Sequence, residues 1–350
     1  MKYYLKDSFL SNEYEKNAGN KARNDVEAIL ISEGYKGLEL KVENWYKMNF
    51  FKAQQHKYRA LKSVFDQLGS GDELLIQFPI IHHTFFISQL IKQAQNRGVK
   101  FYLVIHDIET LRHVGNSAVK LRHKVRNYFQ EKAALTSVDG IIVHNDIMKN
   151  ALTIQGIPSD KMVSLEIFDY LIPNFEEKNV PQKEEAIIIA GNLIPTKSGY
   201  LYNLPEQPAY NLYGMGYDES RALKNTTYFG SFMPDDLPNA LQGSFGLVWD
   251  GDSSETCQGS FGNYLRINNS HKASLYLASG FPLVVWKESA LAHFVLDKQC
   301  GIAIDSLHDL QKALDDLTDQ DYMELSANAR QVGVAIRSGD YLKSAISKLK

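Results

Sequence analysis

Residues 264–286, YLRINNSHKASLYLASGFPLVVW, run from a polar, partly cationic stretch (Asn268, Asn269, Ser270, His271, Lys272) into an apolar helix. That helix stops at Gly280, and Pro282 opens a buried strand at 283–286. A helix that leaves through Gly-x-Pro into a short apolar strand is one repeat of a parallel α/β sheet. Ser270 is the expected N-cap, so the backbone N–H groups of the first turn and the Lys272 ammonium would point at the same place, and that place suits an anion. At the cleft of an α/β protein the expected anion is a nucleotide diphosphate.

The chain around this segment supports the same class. Its 350 residues, 44% hydrophobic and 23% charged, fit a soluble globular protein with room for two domains. The formal net charge of -3 excludes a global field for nucleic acid, so an anion site has to be local. Cys257 and Cys300 match neither a metal-ligand spacing nor a disulfide framework, which fits a reducing cytoplasm. The first residues carry no signal-like apolar core, and no apolar run is long enough to span a bilayer; stable membrane insertion is not expected, and the sequons at Asn225 and Asn268 carry no meaning in a cytoplasmic protein.

Upstream, strand-like segments at 3–6, 37–42, 73–78, 100–106, 140–144 and 162–165 alternate with amphipathic helical segments at 21–33, 52–68, 85–96, 119–135 and 147–155. This alternation predicts a Rossmann-like domain over 1–172. The proline-bearing polar stretch 173–185 is a linker, and a second Rossmann-like domain follows over 186–335, with strands near 186–190, 210–213, 228–230, 245–249, 283–286 and 301–304. The tail is helical, with breaks expected at Gly333 and near 338–340, and its last part, 336–350, is expected to cross back onto the first domain.

Ligands of open α/β sheets bind outside the carboxyl ends of strands, and several loops there have suitable chemistry. Gly191-Asn192 opens a turn that carries Lys197; it lacks the spacing of a P-loop or GxGxxG, but with Lys272 it makes a candidate phosphate site. The turns with Tyr213 and Phe232 suit a flat base and a ribose. Asp250-Gly251-Asp252 has the form of a metal-holding DxD, yet it follows a strand in a Gly/Ser-rich stretch, and Lys272 with a helix terminus would make a metal unnecessary; no metal is expected. In the first domain, His106 and Asp107 end a buried strand, with Arg112 following, and His82 and His83 make a weaker second site. Asn17, Gly19, Lys21 and Arg23 open the first helix and suit a substrate hydroxyl or phosphate. Structural capping explains them nearly as well. The basic run Lys120, Arg122, His123, Lys124, Arg126, Lys132 is expected to be a solvated face or a subunit contact.

NAGNKARND (17–25), QFP (77–79), HDIETLR (106–112), GNLIPTKSGYL (191–201) and NNSHKASLYLASGFPLVVW (268–286) together resemble the GT-B glycosyltransferases over essentially the whole chain. More narrowly, the sequence is similar to the bacterial glucosyltransferases that extend O-linked GlcNAc on serine-rich adhesins, a group related to galactofuranosyltransferases. The resemblance implies two Rossmann-like domains with an interdomain cleft and a C-terminal helix packing back. It also implies a UDP-sugar donor on the second domain with no other cofactor, a glycosylated serine-rich acceptor, and a homo-oligomer, often a tetramer. The donor contacts would come from Gly191, Asn192, Lys197, Tyr213, Phe232, Tyr264, Asn269, Ser270, His271 and Lys272. The acceptor contacts would come from Asn17, Gly19, Lys21, Gln77 and Arg112, and the catalytic groups would be Asp107, His106 and Lys272. Glucose is the first expected sugar; a UDP-galactofuranose or UDP-GlcNAc transferase of surface polysaccharide, or a silent GT-B partner protein, are the alternatives. Retaining GT-B families commonly carry two glutamates eight residues apart where this chain has Ile267 and Leu275. The ribose would therefore fall to Tyr264 or Asn269, and the anomeric outcome does not carry over.

Overall fold

A computed structural model describes residues 1–7, 18–42, 47–80, 84–112 and 121–349, with side chains from 20 and from 127 onward in the helices that begin at Ala18 and Leu121. The first domain contributes strands β1 (Lys2–Asp7), β2 (Lys36–Leu40), β3 (Glu73–Phe78), β4 (Lys100–Ile105), β5 (Gly140–Val143) and β6 (Met162–Ser164). The second contributes β7 (Ile187–Asn192), β8 (Tyr210–Met215), β9 (Thr226–Tyr228), β10 (Gly246–Val248), β11 (Leu283–Trp286) and β12 (Gly301–Ile304). Two parallel six-stranded sheets result, ordered β2-β1-β3-β4-β5-β6 and β12-β11-β10-β7-β8-β9. Two Rossmann-like domains, as the alternation predicts, face each other through their loops.

The central strands are covered on both faces, which is why β3, β4, β5, β7, β10 and β11 are near-continuous apolar runs, whereas the edge strands β2 and β9 keep exposed positions. In the first sheet the pleat sorts side chains in alternation. Leu74, Ile76, Phe78, Phe101, Leu103 and Ile105 enter one core. Leu75, Tyr102 and Val104 enter the other, where they meet Leu342 and Ala345 of the C-terminal helix Asp340–Ser347. The carboxylate of Asp169, in the first domain, accepts the Leu342 N–H (2.8 Å) and the Tyr341 N–H (3.3 Å), so it covers the open amides at the start of that helix. The return crossing is thus held by both packing and a cap.

The long helix Asp319–Ser338 starts with a Thr318/Asp321 capping box and ends at Gly339, whose φ of +75° is left-handed. The break expected at Gly333 does not occur. Gly333 is instead a close-approach position: a Cβ there would stand 2.2 Å from the Leu277 carbonyl oxygen of the neighbouring helix His271–Ala278. The connection after β6 serves both domains, since Leu165 and Phe168 pack into the first domain's core and Ile167, Tyr170 and Ile172 into the second's.

Candidate active site

In the second sheet the strand order reverses between β7 and β10, and the crevice at that switch point is where an open α/β sheet binds its ligand. Lys272 projects into it from the first turn of His271–Ala278. Its Nζ donates to the Trp249 carbonyl (3.0 Å) and the Asp250 carboxylate (2.9 Å), both just past the end of β10. An ammonium has three donors, so these two bonds fix Lys272 in direction and leave one N–H for a ligand. Gly191 lies directly beside it: its φ is +131°, and a Cβ would meet Lys272 Cε at 3.4 Å. Gly214, at the end of β8, is tighter still, since a Cβ there would fall 1.8 Å from the Gly191 oxygen. These glycines let the strand ends close up under the lysine.

Lys197 is the second cation of this wall. It sits on the short helix Pro195–Ser198 with its Nζ 5.5 Å from the centre of the Phe261 ring. The Asp250 charge supports its protonation most strongly, but burial and the nearby positive charges of Lys272 and Arg112 win, and its pKa falls below the ordinary lysine value. Asp107 acts on the same ammonium, so the first domain's wall stands within electrostatic reach of the second's. Ser270 occupies the N-cap position with extended backbone (φ -71°, ψ 128°), but its side chain makes no capping bond, contrary to expectation. The amides of the first turn thus carry no side-chain cap.

The facing wall is built on the end of β4. Gln77 donates its amide to the Arg23 carbonyl (3.3 Å), which turns its oxygen toward His106 Nε2 at 2.7 Å. His106 must then carry its proton on Nε2, leaving Nδ1 as an acceptor. Burial, with the positive charge of Arg23 added, holds its pKa well below the ordinary value. The ring lies parallel to Phe168, centroids 5.7 Å apart. Asp107 pairs with Arg112 through Oδ2, while its Oδ1 is buried without a hydrogen-bond partner. That carboxylate oxygen and the His106 Nδ1 are the candidate proton acceptors of this wall among the described residues. Arg112 also stands 5.5 Å from the centre of the Tyr264 ring.

Several predicted contacts have other work. Tyr213 is fully buried, stacked on Phe229 (4.9 Å) with its hydroxyl accepting the Gln242 N–H, because β8 is covered on both faces; its ring cannot flank a base. Phe232 does reach the surface, tilted against Tyr213 at 6.1 Å. Tyr264 belongs to the first domain's core and accepts the Ile108 N–H at 3.1 Å, so it bridges the domains rather than serving a ribose. His271 is packed between Phe168 and Tyr170. Asn192 is exposed and turns back to accept the Ile194 N–H. Lys21 and Gln77 are buried and fully engaged, which removes them as acceptor contacts. Gly19 lies within the helix Ala18–Ser32. Asn17, His82, His83 and Lys120 lie outside the described residues, as do the side chains of Arg122, His123, Lys124 and Arg126; Lys132 bonds Tyr128. Among the described residues no cluster of His, Cys, Asp or Glu has metal-binding geometry.

Asn269 is an interdomain clamp and not a donor contact. Its N–H donates to His144 Nδ1 (3.0 Å) and its amide to the carbonyls of His144 (2.8 Å) and Glu166 (2.7 Å), while Asn145 donates to its Oδ1 (2.7 Å). Glu166 has a φ of +72°, a strained value for a side chain of this kind, and the Asn269 bond holds it there. His144 and Asn145 were not singled out in the sequence, although they end β5 just as His106 ends β4. The clamp requires neutral His144, whose pKa burial lowers to about 3 against 6.5 in the unfolded chain. The unfolded state therefore binds that proton first, and the stability His144 contributes is present above pH 6.5 and lost as pH falls below it. Between pH 6 and 4, urea titrations of wild type and His144→Gln are expected to diverge, the wild type losing about 1.4 kcal/mol more per pH unit. Parallel pH profiles would show that His144 does not titrate with unfolding.

Comparison with known proteins agrees with this architecture. The family described as Glucosyltransferase 3-like matches with its N-terminal domain over residues 3–167 and its C-terminal domain over residues 187–349. The chain is similar to Beta-1,6-galactofuranosyltransferase WbbI of Escherichia coli K12, with 34% identity over 81% of this chain and 80% of that one. It is also similar to Glucosyltransferase 3 of Streptococcus gordonii, with 23% identity over 93% and 92% of the two chains. Among solved structures, sucrose-phosphate synthase from Thermosynechococcus elongatus has the same fold, with a TM-score of 0.64 at 12% identity over 98% and 96% of the two chains. HepE of Anabaena, solved with UDP-glucose, superposes with a TM-score of 0.56 at 11% identity over 99% of each chain. Two parallel Rossmann-like domains, the return helix and the matched family domains place this chain in the Glucosyltransferase 3-like family of GT-B glycosyltransferases.

Proposed function

We propose that the protein transfers a hexosyl group from a UDP-sugar to a carbohydrate hydroxyl, without a metal ion. The observation that carries this reading is Lys272, held by Trp249 and Asp250 in the switch-point crevice with one donor left over, beside Lys197, on which the Asp107 charge acts. The donor diphosphate lies on Lys272, Lys197 and the first-turn amides of His271–Ala278. These groups stabilise the charge that grows on the leaving UDP, and a preorganised donor of this kind contributes roughly 3 kcal/mol. Asp250 stays a counter-ion of Lys272, so the DxD-like motif has no free pair of carboxylates for a cation. The uracil lies toward Phe232. Asp107 takes the proton of the acceptor hydroxyl as the sugar–oxygen bond forms and the bond to UDP breaks, and His106 offers Nδ1 to a sugar hydroxyl.

Glucose is the sugar that the name of the streptococcal relative favours, and GlcNAc on a serine-rich glycoprotein is the acceptor that the sequence motifs at 17–25, 106–112 and 268–286 favour. The higher identity to a galactofuranosyltransferase favours galactofuranose as a second reading. A panel of UDP-glucose, UDP-galactose, UDP-GlcNAc and UDP-galactofuranose, each with a GlcNAc-bearing peptide and with free glycans, separates them. UDP release is expected with one donor and only in the presence of an acceptor, and UDP itself should raise the melting temperature. A protein that neither binds UDP nor releases it from any donor is instead a silent GT-B partner.

A further inference from the structure

The ammonium of Lys21, in the helix Ala18–Ser32, is buried at the junction of the two domains and has three acceptors: Asp25 Oδ1 (2.8 Å), the Leu171 carbonyl (2.6 Å) and Asp235 Oδ1 (2.7 Å). All its donors are thereby used. Asp25 and Leu171 belong to the same helix and to the connection after β6, but Asp235 belongs to the second domain, in the loop that carries Phe232. A second tie runs beside it. The Tyr170 ring lies under the ammonium at 5.0 Å, and its hydroxyl donates to the Pro234 carbonyl at 2.7 Å. The other end of the loop leads to the crevice, since Gly230 accepts the Gly214 N–H (2.8 Å) and Gly214 packs on Gly191.

We infer that Lys21 is a positioning residue: through Asp235 it holds the 230–236 loop, and with it the Phe232 ledge for the donor base, in the closed arrangement of the domains. The tie is built to be reversible. Asp235 is 56% exposed and returns to water without penalty, while Lys21, only 7% exposed, keeps Asp25 and the Leu171 carbonyl when the cleft opens. Neither partner is left as an isolated buried charge, the circumstance that makes breaking a buried pair costly. Opening therefore costs little more than one charge-assisted bond, and donor binding repays it.

The kinetic consequence rests on the donor site proposed above; the conformational one does not. When the competent form is less populated, apparent affinity falls by that fraction and saturating ligand restores the rate. Asp235→Ala is expected to raise the donor KM about fivefold while kcat stays within about twofold, with Asp235→Glu recovering most of the loss. In the ligand-free protein, amide hydrogen exchange over 230–236 should quicken at least about fivefold in Asp235→Ala relative to wild type. An unchanged KM, or a fall in kcat at constant KM, overturns the role in donor capture. Unchanged exchange overturns the tie itself, and it does so even if the wild type proves to bind no UDP.

Discussion

Lys272→Ala is expected to weaken UDP binding at least about a hundredfold, from the roughly 3 kcal/mol a preorganised donor at a developing charge contributes. Isothermal calorimetry with UDP reads this directly, without an acceptor or a known sugar. The substitution also has a structural cost, because Asp250 is only 8% exposed and would lose its counter-ion. Breaking such a pair costs on the order of 3 kcal/mol. A loss of binding in Lys272→Ala alone would therefore be ambiguous. The double variant Lys272→Ala/Asp250→Ala resolves it: stability should recover, since no buried charge is left unpaired, while UDP binding should remain absent. Asp250→Asn supplies the complementary arm. It keeps an acceptor for Lys272 and removes a negative charge from the crevice, so UDP affinity should hold or rise. Abolished UDP binding in Asp250→Asn that added Mg²⁺ or Mn²⁺ modulates would instead make Asp250 a metal ligand and sink the lysine assignment.

The parts of this crevice that were legible in the sequence share one property: they follow from local pattern. The strand at 283–286, the glycine exit before it and the Lys272 position come from periodicity and from rules about strand ends. What was not legible depends on partners far along the chain. Asn269 and Tyr264 look like ligand groups because polar residues lead into a helix, yet their partners are His144, Glu166 and Ile108 in the other domain. Lys21 looked like a substrate cation for the same reason, and Asp235 is more than two hundred residues away in sequence. Tyr213 failed for a different cause. Strands buried on both faces offer no polar side, so an aromatic near a strand end is as well used in the core as at the cleft. Gly333 shows the converse, a helix breaker by propensity that is retained where two helices touch. A wider application of the strand-end rule would have found His144, since it follows β5 as His106 follows β4. The acidic motif at 250–252 has the form of a cation site at which no metal is expected, and Lys272 from across the crevice pairs with its first carboxylate.

Asp107→Asn is expected to leave UDP affinity within about threefold of wild type and to cut transfer about a thousandfold, the middle of the range for a positioned general base. Asparagine is nearly isosteric and still accepts from Arg112, so the fold of 106–112 has no reason to change, but its amide oxygen cannot take the acceptor's proton. Single-turnover transfer at saturating donor is the right readout, because it excludes donor binding and product release from the comparison. Arg112 loses its counter-charge in this variant, and any resulting gain in positive potential would tighten UDP rather than weaken it; a fall in both affinity and turnover would therefore point to misfolding. His106 is the competitor for the role. Its Nε2 is committed to Gln77, and burial disfavours the imidazolium that a base must become, whereas Asp107 Oδ1 has no hydrogen-bond partner. The two residues can be told apart by His106→Asn, which keeps a hydrogen-bonding group at the strand end. If Asp107 is the base, His106→Asn should cost transfer no more than about a hundredfold and mainly through sugar positioning. The reverse order of severity, with Asp107→Asn near wild type, would move the base to His106 and reassign Asp107 to holding Arg112 against Tyr264.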